Sequence, residues 1–195
     1  MRDITTIAYY NRNAAAFVAK TVDAAMDDAL RQFTELLPMR ARVLDWGCGS
    51  GRDSLAMRKL GFDVTSVDAS PEICAQALAT TGTVVRVESF DELSETEAYD
   101  GIWACASLLH VKPEELPDVL GRAAHALRDG GVLYCSFKRG TSCGYRNGRW
   151  FTHMEEDVLL ELINPHFDIV RVWVSSDVRP GRSDEQWLNC LATKR

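Results

Sequence analysis

No stretch of this chain approaches the 18 or so consecutive apolar residues that a membrane-spanning helix requires. Its opening, Met1-Arg2-Asp3-Ile4, does not begin a signal peptide, so the expected location is the cytoplasm and no membrane partner is implied. Positive charge is in short supply. Against 28 acidic residues stand 22 Lys and Arg, a formal charge of −6, which disfavours broad electrostatic binding to nucleic acid. Cys48, Cys74, Cys105, Cys135, Cys143 and Cys190 form no C-x-x-C pair and no Cys/His cluster. That excludes the common zinc arrangements, implies no metal, and leaves reduced thiols that pack as small hydrophobes. Repeats and low-complexity tracts are also missing.

What remains is ordinary for a globular protein: 195 residues, 46% apolar and 26% charged. That length suits one α/β domain over 1–195 and is short for two. Residues 1–38 read as a helical cap. Tyr9 to Lys20 forms one short helix, and Val22, Met26, Ala29, Leu30, Phe33 and Leu37 repeat near a 3.6-residue period until Pro38. From Arg42 the chain alternates between short apolar runs and helical segments. Strands are expected at Arg42–Trp46, Asp63–Val67, Val84–Val87, Tyr99–Ala104 and Val132–Phe137. Helices are expected at Arg52–Leu60, Pro71–Thr80 and Glu114–Arg128, the last with Pro117 inside it, and a short acidic helix at Asp91–Glu97. Such alternation builds βαβ units and a parallel sheet covered on both faces. The end differs. Helix Glu155–Ile163 is followed by strands Phe167–Val174 and Trp187–Thr193, joined by a loop through Pro180-Gly181, which predicts an antiparallel addition to the sheet edge.

The strongest chemical signal is Val43-Leu44-Asp45-Trp46-Gly47-Cys48-Gly49-Ser50-Gly51. Glycines at 47, 49 and 51 allow positive φ and close approach of backbone to a ligand, in the crevice where open α/β sheets bind one. Seventeen residues on, at the end of the second strand, Asp68 can accept both hydroxyls of a ribose. A dinucleotide fingerprint would need a third glycine where Arg52 stands.

These residues resemble class I S-adenosylmethionine-dependent methyltransferases, through ordered motifs from Arg42 to Lys138. Among these, the compact tellurite-resistance-type and thiopurine-type enzymes are most similar. The resemblance implies a three-layer Rossmann-like fold with a mostly parallel seven-stranded sheet, an antiparallel last strand and an N-terminal helical lid. It divides the chain into the cap, a cofactor-binding core over 42–138, and substrate-side loops and strands over 139–195. It implies S-adenosylmethionine as cofactor, with Asp45, Gly47, Cys48, Gly49 and Gly51 around its methionine end, Asp68 and Ala69 at the ribose, and Ser89 and Phe90 at the adenine edge. Cys105 and Ala106, after the fourth strand, are the expected contacts near the sulfonium. Tyr10, in the lid, either touches the methionine carboxylate or packs on the core.

On the acceptor side, Ser107 and His110 are the polar groups beyond the fourth strand. His110 could take a proton from an acceptor hydroxyl, amine or thiol, or simply cap the neighbouring helix. Methyl transfer does not always require a base, because alignment with an activated donor supplies much of the acceleration. Lys138 to His153 reads as a rim loop containing Lys138, Arg139, Arg146 and Arg149 without an acidic residue, and Arg179 and Arg182 follow in a second loop. This local positive charge suggests an anionic acceptor, with Trp150 and Phe151 available to stack on it. Trp187 reads as edge packing. The expected activity is methyl transfer to a small molecule. Alternatives are an RNA or protein acceptor, a nicotinamide-dependent oxidoreductase, and a non-catalytic cofactor-binding protein; oligomeric state stays open.

Overall fold

A computed structural model describes residues 3–24, 26–179, 181–182 and 184–195. Pro180 of the loop expected between the last strands, and Met1 and Arg2, lie outside the described residues. Helix α1 (Ile4–Thr21) starts where Asp3 accepts the Thr6 amide, five residues earlier than the periodicity implies, and α2 is Asp27–Thr34. Then come β1 (Arg42–Trp46), α3 (Arg52–Lys59), β2 (Asp63–Asp68), α4 (Pro71–Thr81), β3 (Val85–Val87) and β4 (Tyr99–Ala104). After these follow α5 (Leu116–Ala126), β5 (Leu127–Lys138), β6 (Cys143–Arg146), β7 (Arg149–Thr152), α6 (Glu156–Ile163), β8 (Phe167–Ser176) and β9 (Gln186–Lys194).

Seven strands form one sheet in the order β3-β2-β1-β4-β5-β9-β8. The first five are parallel neighbours, and the last strand of the chain, β9, runs antiparallel to both β5 and β8. Period-two alternation sorts the core into two layers. Leu44, Ile102 and Leu133 face the side covered by α5 and α6, while Val43, Trp103 and Tyr134 face α2 and α3. On the second side Trp103 stacks on Tyr134 with centroids 4.0 Å apart, and Phe33 of α2 packs against Trp103 at 5.2 Å.

Three local expectations need correction. The acidic segment 91–97 contains a single 3-10 turn, Phe90–Glu92, because Ser89 and Glu92 close a capping box around it and nothing propagates the turn. Pro117 does not interrupt a helix: α5 begins at Leu116, so the proline falls in the first turn, where its missing N–H has no partner to lose. The rim 138–153 is no open loop. It folds as the β6–β7 hairpin, turned by Asn147 (φ 50°) and Gly148 (φ 79°).

That hairpin clamps the start of α1: Tyr145 donates to the Asp3 carboxylate and the Trp150 amide donates to Thr6 Oγ1 at 2.9 Å. Farther along, Ser70 donates to Asn11 Oδ1 at 2.6 Å and Arg52 donates to the Thr21 carbonyl at 3.1 Å. The helix is thereby fixed across the carboxyl ends of the strands. Removing the fully buried Phe33 ring should detach α2 from the sheet. Phe33→Ala is expected to lower stability by about 3–5 kcal/mol in urea denaturation; a loss below about 1 kcal/mol would show that α2 is not a structural seal.

Candidate functional site

One large pocket opens at the carboxyl ends of β1, β2 and β4 beneath α1. At its floor β1 runs into Gly47 (φ 82°), and the amides of Gly47 and Cys48 both donate to the Val67 carbonyl at 2.9 Å. A Cβ on Gly47 would stand 2.5 Å from the Ser107 Cβ, so only glycine lets this loop lie against the segment after β4. Ser107 lines the pocket, but its hydroxyl proton is spent on the Trp46 carbonyl at 2.7 Å. Gly51 is not a lining residue. It starts α3 in the left-handed region and faces Thr81 and Thr83, so it shapes the loop from behind.

Asp68 ties this loop to β2. Its Oδ2 accepts the Gly49 amide at 3.1 Å and its Oδ1 the Ser70 amide at 2.9 Å, with the Ala69 amide also turned toward the carboxylate, which keeps acceptor capacity. Burial pushes its carboxyl up to about 6, against the opposing pull of these amides. Asp45 is also buried and is raised first by burial and then by the neighbouring Asp53 charge. A directed chain supports it: Arg58 donates to Ser66 Oγ at 3.1 Å, Ser66 donates to Ser54 at 2.7 Å, and Ser54 donates to Asp45. Asp53 in turn accepts the Trp103 indole and the Arg52 guanidinium, each at 3.0 Å.

Past β3 the Ser89 hydroxyl is engaged by the capping turn and Phe90 stands edge-on to Trp46 at 5.2 Å. Glu88, which the motif pattern did not single out, also lines the pocket; one oxygen pairs with Arg86 and the other, Oε1, is buried without a partner. Cys48, Ala69, Cys105 and Ala106 complete the wall, Ala106 in the left-handed region at φ 51°. Burial raises the Cys105 thiol to about 12, so it serves as an apolar surface.

At the other end stand Tyr10, His110, Lys138, Arg149 and Phe151. The Trp150 side chain does not line this pocket: its indole donates to Thr152 Oγ1, and only its carbonyl takes part, receiving His110 Nδ1 at 2.6 Å. Trp187, expected as edge packing, does line it and donates to Asp177 at 3.1 Å. Most of the rim cations are neutralised, Lys138 by Glu185, Arg179 by Asp177 and Arg182 by Glu185. Arg149 has no carboxylate partner among the described residues. It lies over the rings of Tyr9 (4.5 Å), Phe151 (5.0 Å) and Tyr10 (5.8 Å), with its Nε buried and unpartnered. No cluster of His, Cys, Asp and Glu able to hold a metal occurs among the described residues.

The arrangement fits S-adenosylmethionine on its own chemistry. Among the described residues Glu88 Oε1 lacks the donor that an adenine amino group supplies, Asp68 keeps acceptor capacity for ribose hydroxyls, and buried Asp45 forms no ion pair of the kind an α-ammonium provides. Sheet order and pocket together define a Rossmann-like methyltransferase fold. Residues 18–172 match a family model described as a methyltransferase domain, and the chain belongs to that family. Its cofactor is S-adenosylmethionine; the nicotinamide alternative is set aside.

Individual relatives agree. A ubiquinone biosynthesis O-methyltransferase of Xanthomonas campestris pv. campestris is 32% identical over 112 residues, 54% of this chain and 46% of that protein. An uncharacterized methyltransferase of Staphylococcus carnosus is 29% identical over 127 residues, 62% of this chain and 61% of that one. The chain thus spans about half the length of the curated relatives it matches. Among solved structures, the Burkholderia thailandensis 1,6-didemethyltoxoflavin-N1-methyltransferase, bound to 1,6-didemethyltoxoflavin and S-adenosylhomocysteine, is 26% identical. It superposes with a TM-score of 0.74, covering 96% of this chain and 84% of that one. TehB from Haemophilus influenzae, 21% identical with a TM-score of 0.72 over 94% of this chain and 67% of its own, shares the fold.

Two predictions follow from the carboxylates. Asp68→Ala should weaken S-adenosylhomocysteine binding by about 1.5–3 kcal/mol in calorimetry; unchanged affinity in a folded variant would misplace the ribose. Because Asp68 and Asp45 are raised while their ligands favour the ionised form, binding near pH 6 should release protons. Affinity should accordingly fall as pH drops from 7.5 to about 5.5. Calorimetry in buffers of differing ionisation enthalpy measures this, and net proton uptake would refute it.

Proposed function

We propose that this chain transfers the methyl group of S-adenosylmethionine to a small molecule that carries an anionic group, in the cytoplasm. One observation carries the reading: a pocket runs from the Glu88–Asp68–Asp45 wall to Arg149, a guanidinium framed by three aromatic rings and without a carboxylate partner among the described residues. An unpaired buried-edge cation is stabilised by a ligand anion, and Arg binds carboxylate or phosphate through two parallel hydrogen bonds. Phe151, Trp187 and Tyr10 supply flat apolar walls for a ring-bearing acceptor. The relatives named for ubiquinone biosynthesis and for 1,6-didemethyltoxoflavin support a small-molecule acceptor. An acidic chain supports the same choice over RNA. The cytoplasmic location is supported by six unpaired cysteines, and no helix among the described residues is long and apolar enough to cross a membrane.

When bound, S-adenosylmethionine supplies an electrophilic methyl group on a sulfonium. Asp45, Asp68 and Glu88 hold its polar ends, α1 and the β6–β7 hairpin cover the pocket, and Arg149 with Phe151 orients the acceptor toward it. Orientation of this kind supplies much of the barrier reduction. The test uses methyl-labelled S-adenosylmethionine incubated with the protein and a fractionated cell extract. Label is expected in the small-molecule fraction; label confined to RNA or protein, or no transfer, would overturn the reading. Arg149→Met should leave S-adenosylhomocysteine affinity within about twofold while raising the acceptor KM by roughly 10–100-fold, the size of a charge-assisted pair. An unchanged KM would remove the anion from the proposal.

A further inference from the structure

His110 and Tyr10 lie a hundred residues apart in the chain and meet inside the pocket, where His110 Nε2 is 2.8 Å from the Tyr10 hydroxyl. The other ring nitrogen settles the proton positions. Nδ1 is 2.6 Å from the Trp150 carbonyl, and a carbonyl can only accept, so Nδ1 carries the hydrogen. Nε2 is then a bare lone pair, and the Tyr10 O–H must donate to it. Phe151 edges the imidazole at 5.0 Å and Tyr10 packs on Phe17 at 5.1 Å, so both rings are held in place.

Two consequences follow for the chemistry. His110 cannot reach an acceptor through Nε2, because the tyrosine occupies that lone pair. The Tyr10 oxygen, its own hydrogen committed to His110, has nothing to donate; it accepts from Arg149 and keeps one further acceptor position for a ligand. We propose that Tyr10 is the residue that receives the hydrogen of the atom to be methylated, that His110 acts through it, and that the acceptor atom therefore carries an ionisable hydrogen, as an O–H, N–H or S–H.

The step balances. As the nucleophile gains the methyl group and the donor sulfur becomes a neutral thioether, the O–H, N–H or S–H bond breaks. The released proton passes to the Tyr10 oxygen, and the tyrosine's original proton passes to His110 Nε2. The imidazolium then donates from both nitrogens, to Trp150 and to Tyr10, and afterwards returns its proton to water. The net charge of the pocket is unchanged by the step, since the sulfonium charge is lost as the imidazolium forms. Burial, and to a lesser extent the Arg149 charge beside Tyr10, hold His110 down at about 4, so that it waits neutral. A carbon nucleophile without an acidic hydrogen would leave Tyr10 with nothing to accept.

This inference rests on the methyltransferase reading, and its test separates the two. Nitrogen-15 NMR of S-adenosylhomocysteine-loaded protein needs no acceptor. His110 should be the neutral Nδ1–H tautomer at pH 7, and Tyr10→Phe should shift the Nε2 resonance while Nδ1 stays protonated. A proton on Nε2, or an Nε2 signal indifferent to Tyr10→Phe, overturns the proposal whatever the activity. Turnover is then read with carbon-13-methyl S-adenosylmethionine and the small-molecule extract. The new methyl carbon should resonate as O–CH3, N–CH3 or S–CH3, and a C–CH3 product contradicts the assignment. Tyr10→Phe and His110→Gln, whose amide oxygen accepts the tyrosine hydrogen but cannot keep a proton, should each slow turnover about 100-fold. Both should keep S-adenosylhomocysteine affinity within about twofold. Full turnover in either variant, or a selective loss of cofactor affinity in Tyr10→Phe, shows that the pair is structural or binds the cofactor. Failure of wild-type protein to label any compound counts against the methyltransferase reading, and the NMR result stands apart from it.

Discussion

A carboxylate at the end of one strand holds the loop at the end of the next. Asp68 accepts the Gly49 and Ser70 amides, and through them the turn after β1 and the start of α4 are fixed around one buried charge. The cost is visible in the upward displacement of the Asp68 carboxyl, since burial disfavours the ionised form more than the amides restore it. A ligand that brings hydroxyl donors to the same oxygens relieves that imbalance. The rest of the site is arranged about this point: Gly47 pressed against Ser107, Asp45 supported from below by Ser54, and Glu88 left with one unsatisfied oxygen.

The roof is built by different physics. Helix α1 has its own small apolar cluster, Ala14 and Val18 with Ile73, and is otherwise held by polar ties at both ends. The β6–β7 hairpin serves twice, anchoring the helix through Thr6 and Asp3 and delivering Arg149 and the Trp150 carbonyl to the pocket. On the proposed reading, acceptor recognition and closure are carried by one short element. The proposed cofactor wall, in contrast, lies at the ends of the parallel strands, so on this reading changes in the hairpin alter the acceptor while leaving that wall intact.

How much of this was legible in the sequence depends on the range of the signal. The βα turn could be read because positive φ at Gly47 and Gly49 and a carboxylate at Asp68 are local requirements. The strands could be read because Val43/Leu44 and Ile102/Trp103 alternate between two apolar layers. Asn147-Gly148 is a strong hairpin signal too, yet the surrounding arginines make the segment read as a charged loop. Glu88 carried no signal, since its free oxygen exists only once Arg86 has taken the other. Trp150 and Phe151 are adjacent, and only the strand pleat decides that Phe151 lines the pocket and Trp150 turns away. The rim's positive charge misled in part, because Asp177 and Glu185, distant in sequence from Lys138, neutralise most of it.

The central claim is that this pocket holds S-adenosylmethionine by the wall running from Asp45 through Asp68 to Glu88. The most direct measurement is a crystal structure of the protein with S-adenosylhomocysteine. Both ribose hydroxyls should lie on the Asp68 carboxylate, the adenine amino group on Glu88 and the α-ammonium at Asp45, with Arg149 still open to solvent or acceptor. An adenosine bound elsewhere, or a ligand whose carboxylate occupies Arg149, would contradict the account.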